Sequence, residues 1–173
     1  MCLDHENAMY KIELYKILIE TRNFEINLFW QRANYFLVLN TALAVGFFGQ
    51  EHGLFRLIIV IGGFLSSFLW YFVCLGGKFW QARWEQRLAD FEKENMGDIN
   101  FFYVSQEQIK KDVENNMSSE ICIKGLCYKQ VLKKPSVSYQ MVKLSVIFIA
   151  FWALCFAVFL TNKNMLFDIF HIH

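Results

Sequence analysis

The stretch FRLIIVIGGFLSSFLWYFVCLGG, Phe55–Gly77, decides the fold of this chain. It has one charged residue, Arg56, near an end, and its length of about twenty residues matches a hydrocarbon layer of roughly 30 Å when helical. Similar stretches are MVKLSVIFIAFWALCFAVFLT, Met141–Thr161, and the shorter NYFLVLNTALAVGFF, Asn34–Phe48. They predict an all-α integral membrane protein with about three transmembrane helices.

Composition supports a membrane location. Of the 173 residues, 55% are hydrophobic, and the mean hydropathy is +0.27, which is more apolar than an ordinary soluble domain. The predicted spans are residues 34–49, 55–77 and 139–161. The remainder divides into a helix over 1–33 continuous with the first span, a helical module over 78–138 and a tail over 162–173, too little for an independent enzyme domain of usual size.

The charge distribution predicts the orientation. Basic residues are frequent before the first span and after the second, whereas the turn after Phe48 has only Arg56 and the tail only Lys163. Because basic residues near membrane helices are retained in the cytoplasm, the N-terminus and the 78–138 module are expected there. The acidic residues of the N-terminal stretch predict that it is not a cleavable signal peptide. The net charge of +1 provides no attraction for nucleic acid, so no stable nucleic-acid binding is expected.

The region before the first span has the spacing of a packed helix. Apolar residues repeat at steps of four and three, which is the a/d pattern of helices that pack together. No Pro or Gly interrupts Met9–Ala44, so one long helix is expected, and Leu88 and Phe91 of a second helix are expected to meet its stripe. The stripe comprises Tyr10, Leu14, Ile17, Thr21, Phe24 and Leu28.

Three local signals mark helix ends and the membrane boundary. Trp80 and Trp84 are placed for an aromatic belt just inside the membrane. Ser105 followed by Gln108 has capping-box spacing and predicts a short polar helix. Pro135 predicts the start of the third span, while the segment before it, with Lys124–Gly125, fits either a helix or a hairpin.

A polar line runs along the first membrane helix. Asn27, Gln31, Asn34 and Thr41 fall on the same four-and-three spacing, with Val38 and Val45 between and beyond them. Since polar side chains facing lipid are costly, the line must face protein or water. Two interpretations stay open: interhelical hydrogen bonds, or a water-filled pore lined by several copies.

Small residues in the second span predict close helix packing. Gly62 with Ser66, and Gly63 with Ser67, have the spacing that lets membrane helices approach closely. The partner helix can belong to the same chain or to a neighbouring copy.

Catalytic and metal sites are poorly supported. Cysteines are odd in number and two lie in the spans, which argues against a disulfide framework, and no zinc spacing, cofactor motif or pair of acid/base groups is seen. No cofactor or metal is expected. The cluster Lys129, Lys133 and Lys134 is interpreted as a contact with anionic lipid headgroups, with an RNA contact as the alternative. The cysteines are Cys2, Cys74, Cys122, Cys127 and Cys155.

Two motifs resemble a family. The run WQRANYFLVLNTALAVGFF, Trp30–Phe48, and the segment KPSVS, Lys134–Ser138, are similar to small bacterial membrane proteins that form octameric rings. The group includes RipA-type cytoplasmic membrane proteins and the accessory membrane protein of type VI-B CRISPR systems. The resemblance implies a location in the bacterial inner membrane and, for the CRISPR accessory, a pore that depolarises the membrane to strengthen defence by an RNA-guided RNA-cleaving nuclease.

The resemblance also implies a divergent HEPN ribonuclease motif, Arg and His four to six residues apart. No arginine here is followed by histidine at that spacing. The nearest match is Arg22 to Asn27, and asparagine is no general acid or base near neutral pH. We therefore expect no enzyme.

The predicted function is a homo-oligomeric, and by resemblance octameric, membrane pore in antiviral defence, because three spans cannot enclose a wide path whereas a ring of copies can. Its expected partners are further copies of itself, the bilayer and, functionally, an RNA-guided nuclease. The alternatives are a RipA-like scaffold without conduction and a membrane-tethered ribonuclease.

Overall fold

The computed structural model describes residues 2–97, 101–119 and 136–161, and 92% of these are helical. Cys122, Cys127, the lysine cluster at 129–134, Pro135 and the tail 162–173 lie outside the described residues. Within the described ranges the elements are α1 Cys2–Gly49, α2 Gly53–Asn95, α3 Gln106–Ser119 and α4 Val137–Thr161.

The first helix is uninterrupted, as its sequence predicts. Helix α1 has 48 residues, about 72 Å at 1.5 Å per residue. A short turn separates α1 from α2, where the amide of Arg56 donates to the carbonyl of His52 at 3.1 Å. The guanidinium of Arg56 contacts the Gln50 carbonyl oxygen.

Two helices of the described chain, α2 and α4, are long and apolar enough to cross a membrane. They contain the second and third predicted spans. Helix α1 is not among them, because arginine and amide side chains interrupt its apolar residues, so the first span over 34–49 stays a prediction.

The chain forms two compact units. The first contains the described parts of Met1–Asn27 and Lys78–Val137, and the second those of Leu28–Gly77 and Ser138–His173. Both α1 and α2 therefore contribute to each unit.

The second unit has two buried apolar clusters where α1, α2 and α4 meet. Close approach of the helices depends on two glycines: a Cβ on Gly77 would lie 2.5 Å from the Phe29 ring, and one on Gly63 would lie 2.2 Å from the Trp152 indole. One cluster contains Phe29, Trp70, Cys74 and Val142, and the other contains Phe47, Val60, Trp152 and Cys155.

In the first unit α2 ends near Gly97, whose φ of +34° lies in the left-handed region. The predicted start of α3 is confirmed, because the amide of Gln108 donates to the Ser105 hydroxyl at 3.2 Å. The Gln108 side chain does not complete the box, since its Nε2 donates to Asp112 Oδ1 at 2.9 Å.

Candidate functional site: an exposed polar line and a buried polar junction

The predicted polar line lies on the exposed side of α1. Asn27, Gln31, Asn34 and Thr41 are all exposed. The Thr41 hydroxyl donates back to the Leu37 carbonyl at 2.8 Å, which lowers the cost of placing it in an apolar medium. No hydrogen bond to another described helix is seen for these four side chains.

The apolar stripe of the first unit also remains partly uncovered. Tyr10, Ile17 and Phe24 are 64%, 51% and 60% exposed, whereas Leu14 and Leu28 are half-buried. Tyr15, one position outside the stripe, stacks on Phe91 of α2 with ring centroids 5.9 Å apart. Half of the stripe, Tyr10, Ile17 and Phe24, is therefore exposed.

The strongest polar cluster of the second unit centres on Asn40, which is fully buried. Its Oδ1 lies 2.6 Å from Ser67 Oγ and 3.2 Å from Ser66 Oγ, both on α2. The Trp152 indole Nε1 of α4 donates to the same oxygen at 2.9 Å. One amide thus joins α1, α2 and α4, and we call these four residues the Asn40 junction.

Three donors lie within hydrogen-bond distance of Asn40 Oδ1, which is more than one amide oxygen accepts. An amide oxygen has two lone pairs, and each serine hydroxyl has one hydrogen. The indole N–H bonds to Asn40 Oδ1 at 2.9 Å, and Ser67 is the nearer serine, so we assign these two as the donors to Asn40. Ser66 then donates to the Gly63 carbonyl at 3.0 Å, while the Asn40 Nδ2 donates to the Phe36 carbonyl at 2.9 Å.

The small residues of α2 divide between two environments. Gly63, Ser66 and Ser67 are buried against α1 and α4, and Gly63 accommodates the Trp152 ring. A Cβ on Gly62 would meet nothing within 4 Å. Packing within the chain thus uses Gly63 and leaves Gly62 open.

The first unit has its own buried acid, Glu92, which is 1% exposed. Its Oε1 accepts the Tyr15 hydroxyl at 2.6 Å, and its Oε2 accepts the amides of Phe102 and Tyr103 at 2.7 and 3.0 Å. Three donors satisfy this carboxylate and attach the segment before α3 to α1 and α2. Burial, then the hydrogen bond to Glu92 and its charge, raises the pKa of Tyr15 to about 12.

Arg22 is held among side chains of the first unit. Its Nη2 lies 3.5 Å from Glu85 Oε1, and its guanidinium carbon lies 5.3 Å from the centre of the Phe102 ring. Asn27 is exposed five positions along the helix. These contacts show Arg22 packed between helix and loop.

The predicted interface tryptophans differ in exposure. Trp80 is 42% exposed, with the guanidinium of Arg83 5.3 Å from its ring. Trp84 is half-buried.

Groups of three or more potential metal ligands are absent from the part of the chain that the structure describes.

Sequence reasoning missed Asn40 and Glu92. Asn40 lies seven residues from Ala33 and from Phe47, and all three are buried. In the sequence, Asn40 has helical spacing with Phe29, Ala33 and Phe47, and this row of apolar residues indicates that Asn40 lies on the buried side of the helix. Glu92 follows Leu88 by four positions on the buried side of α2, which was the comparable signal there.

Comparison with known proteins adds the family. The model of the octameric membrane protein family matches residues 12–161, which contain α2, α3, α4 and most of α1. No curated protein and no solved structure matches the chain. A match over this much of the sequence, together with two helices able to cross a bilayer, shows that the chain belongs to the octameric membrane protein family, whose members are membrane oligomers.

Proposed function

We propose that the protein is a homo-oligomeric pore of the bacterial inner membrane, with its N-terminus in the cytoplasm, that depolarises the membrane. The proposal rests on the exposed polar line of α1 in a chain of an octameric membrane family. An amide facing acyl chains leaves its hydrogen bonds unmade. A ring of copies that turns Asn34 and Thr41 toward a central aqueous path supplies those hydrogen bonds.

The division of α1 into two sides supports the pore. Its inward side is committed to its own chain through Asn40 and Phe29, so the polar line is left for neighbouring copies or water. We further propose that depolarisation supports antiviral defence by an RNA-guided RNA-cleaving nuclease of the type VI-B CRISPR class, on the likeness of Trp30–Phe48 to that accessory.

The test is ion flux from vesicles that contain the purified protein. The double variant Asn34→Leu, Thr41→Leu should reduce flux at least tenfold while the oligomer keeps its size. The matched control is Leu69→Ile, since Leu69 is 59% exposed on α2 and off the polar line. Unchanged flux from an intact double-variant oligomer would refute the pore.

A scaffold without conduction is the second candidate. The hydrogen bonds of Glu92 with Tyr15, Phe102 and Tyr103 favour it, because they build an ordered unit outside the apolar stretches. A membrane-potential dye in cells with an active RNA-guided nuclease separates the two. A scaffold leaves the potential unchanged, whereas a pore collapses it.

We also propose that the protein is not a ribonuclease. The guanidinium of Arg22 is packed on Phe102 and Glu85, and Asn27 has no titratable group. Purified protein should leave labelled RNA intact. Cleavage that disappears in Arg22→Ala but persists in the control Arg87→Ala would reverse this conclusion.

A further inference from the structure

Contacts between α1 and α2 in the first unit fix the register of the two helices. The Tyr15 hydroxyl donates to Glu92 Oε1 at 2.6 Å, and Arg22 Nη2 lies 3.5 Å from Glu85 Oε1. Seven residues forward on α1 thus correspond to seven residues back on α2, so the helices run antiparallel with about 1.5 Å per residue on each. This register matches the level of a residue on α1, meaning its position along the helix axis, to a residue on α2.

The helix pair has two outer sides. A residue two positions from a contact residue lies about 200° around the helix from it, which places Glu20 across α1 from Arg22 and Arg87 across α2 from Glu85. Both Glu20 and Arg87 are exposed. The outer side of α1 and the outer side of α2 therefore point away from each other.

The two outer sides are complementary in charge at the same levels. In the register above, Glu20 on α1 lies at the level of Arg87 on α2. Lys16, one turn earlier on α1, lies within one residue of the level of Asp90, and both of these side chains are exposed. One side thus presents a cation and then an anion where the other presents an anion and then a cation.

Exposed aromatic side chains lie at the next level. Phe24 on α1 is 60% exposed, and the register places it at the level of Arg83. The guanidinium carbon of Arg83 lies 5.3 Å from the centre of the Trp80 ring, and Trp80 is 42% exposed. A phenyl ring placed against this pair adds apolar and cation–π contact to the two charge pairs.

We propose that the outer side of α1 in one copy binds the outer side of α2 in the next copy, between the levels of Lys16 and Phe24. This inference rests on the homo-oligomer of the proposed function and not on conduction. The chain belongs to a family of octameric membrane proteins, so the occupant of each side is a further copy. Glu13 lies outside the contact, because the register places it at the level of the like-charged Glu94.

Ring symmetry accounts for the matching levels. Rotation about an axis that runs along the helix pair leaves every group at its own level, so residues at one level on two different sides of the chain meet between neighbours. Two different surfaces that bind head to tail close into a ring, whereas a self-complementary surface stops at a dimer. Complementary charges at such a contact fix its register.

The test is disulfide formation between Glu20→Cys and Arg87→Cys in the full-length protein in membranes. Helix axes about 8–10 Å apart and a Cα radius of about 2.3 Å separate the two Cα atoms of one copy by about 13 Å, beyond the roughly 7 Å that a disulfide allows. The bond therefore forms only between copies. Non-reducing gels of the double variant should show a ladder that extends past the dimer, and either single variant, with the same native cysteines, should show none.

Charge reversal gives a second measurement, by size-exclusion chromatography with light scattering. Glu20→Arg places two cations together, so the assembled fraction should fall about tenfold, and it should recover in the double variant Glu20→Arg, Arg87→Glu. The control Glu107→Arg, which changes an exposed glutamate on α3, should assemble like the parent. Absence of the ladder from an assembled cysteine variant, or an unchanged assembled fraction in Glu20→Arg, would overturn this interface and leave the oligomer standing. A parent protein that stays monomeric would instead refute the homo-oligomer.

Discussion

Replacing Gly63 by Ala tests whether the packing of α2 on α4 organises the second unit. A Cβ at this position would lie 2.2, 2.4 and 2.6 Å from three atoms of the Trp152 indole. Carbon atoms pack best at about 3.5 to 4.0 Å, so the ring must move by more than about 1 Å. Trp152 is fully buried.

The expected cost has two parts. Forcing an extra methyl into a packed core costs about 1–3 kcal/mol. Moving the indole also stretches its 2.9 Å hydrogen bond to Asn40, and an interhelical bond in a membrane protein contributes on average about 0.6 kcal/mol. Together they predict that the free energy of unfolding of Gly63→Ala is roughly 2–4 kcal/mol below that of Gly62→Ala, which gains the same helix propensity without the clash.

Gly62→Ala is the matched control, since its Cβ would meet nothing within 4 Å. Both variants gain the same helix propensity, up to about 1 kcal/mol, so their difference isolates the clash. The assay is reversible unfolding in detergent micelles followed by circular dichroism. Equal stability of the two alanine variants would refute this account of the packing.

Three further outcomes are expected. Asn40→Leu should lower the free energy of unfolding by about 1–3 kcal/mol because it leaves the Trp152 N–H without an acceptor. Trp152→Phe leaves a cavity in either background but should cost less in Asn40→Leu than in the parent, so fully additive losses in a double-mutant cycle would contradict the hydrogen bond. Glu92→Leu should lower the free energy of unfolding by about 3 kcal/mol, since three donors lose their acceptor at about 1 kcal/mol each. Glu92→Gln should cost less, and a larger loss in Glu92→Gln than in Glu92→Leu by thermal unfolding would disprove the role of the carboxylate. The pKa of Tyr15 is raised from 10.0 to about 12, so the contribution of its hydroxyl to the free energy of unfolding is complete below pH 10 and is lost as pH rises through about 12. A stability difference between parent and Tyr15→Phe that is constant from pH 9 to 12 would contradict this.

Much of the helical structure followed from local pattern. The absence of Pro and Gly between Met9 and Ala44 predicted an uninterrupted helix, and α1 is continuous from Cys2 to Gly49. The spacing of Ser105 and Gln108 predicted the start of α3. Such features depend on residues within a few positions of one another.

Side-chain partners were less accessible to prediction. Tyr10 and Ile17 of the stripe are 64% and 51% exposed, whereas Tyr15, outside the stripe, stacks on Phe91 of α2. Two neighbouring faces of one helix can both carry apolar residues, and only the partner helix decides which of them is buried. The oligomeric role predicted for the stripe stays a prediction.

The sequence by itself determined that α2 and α4 are helices suited to lipid, because hydropathy and helical period are properties of single segments. Only the tertiary structure decided that Asn40 turns inward while its neighbour Thr41 stays exposed. That choice depends on Trp152, 112 residues away, and on the missing side chain of Gly63 that admits its ring. Burial is a property of surfaces that meet, and no single segment contains both of them.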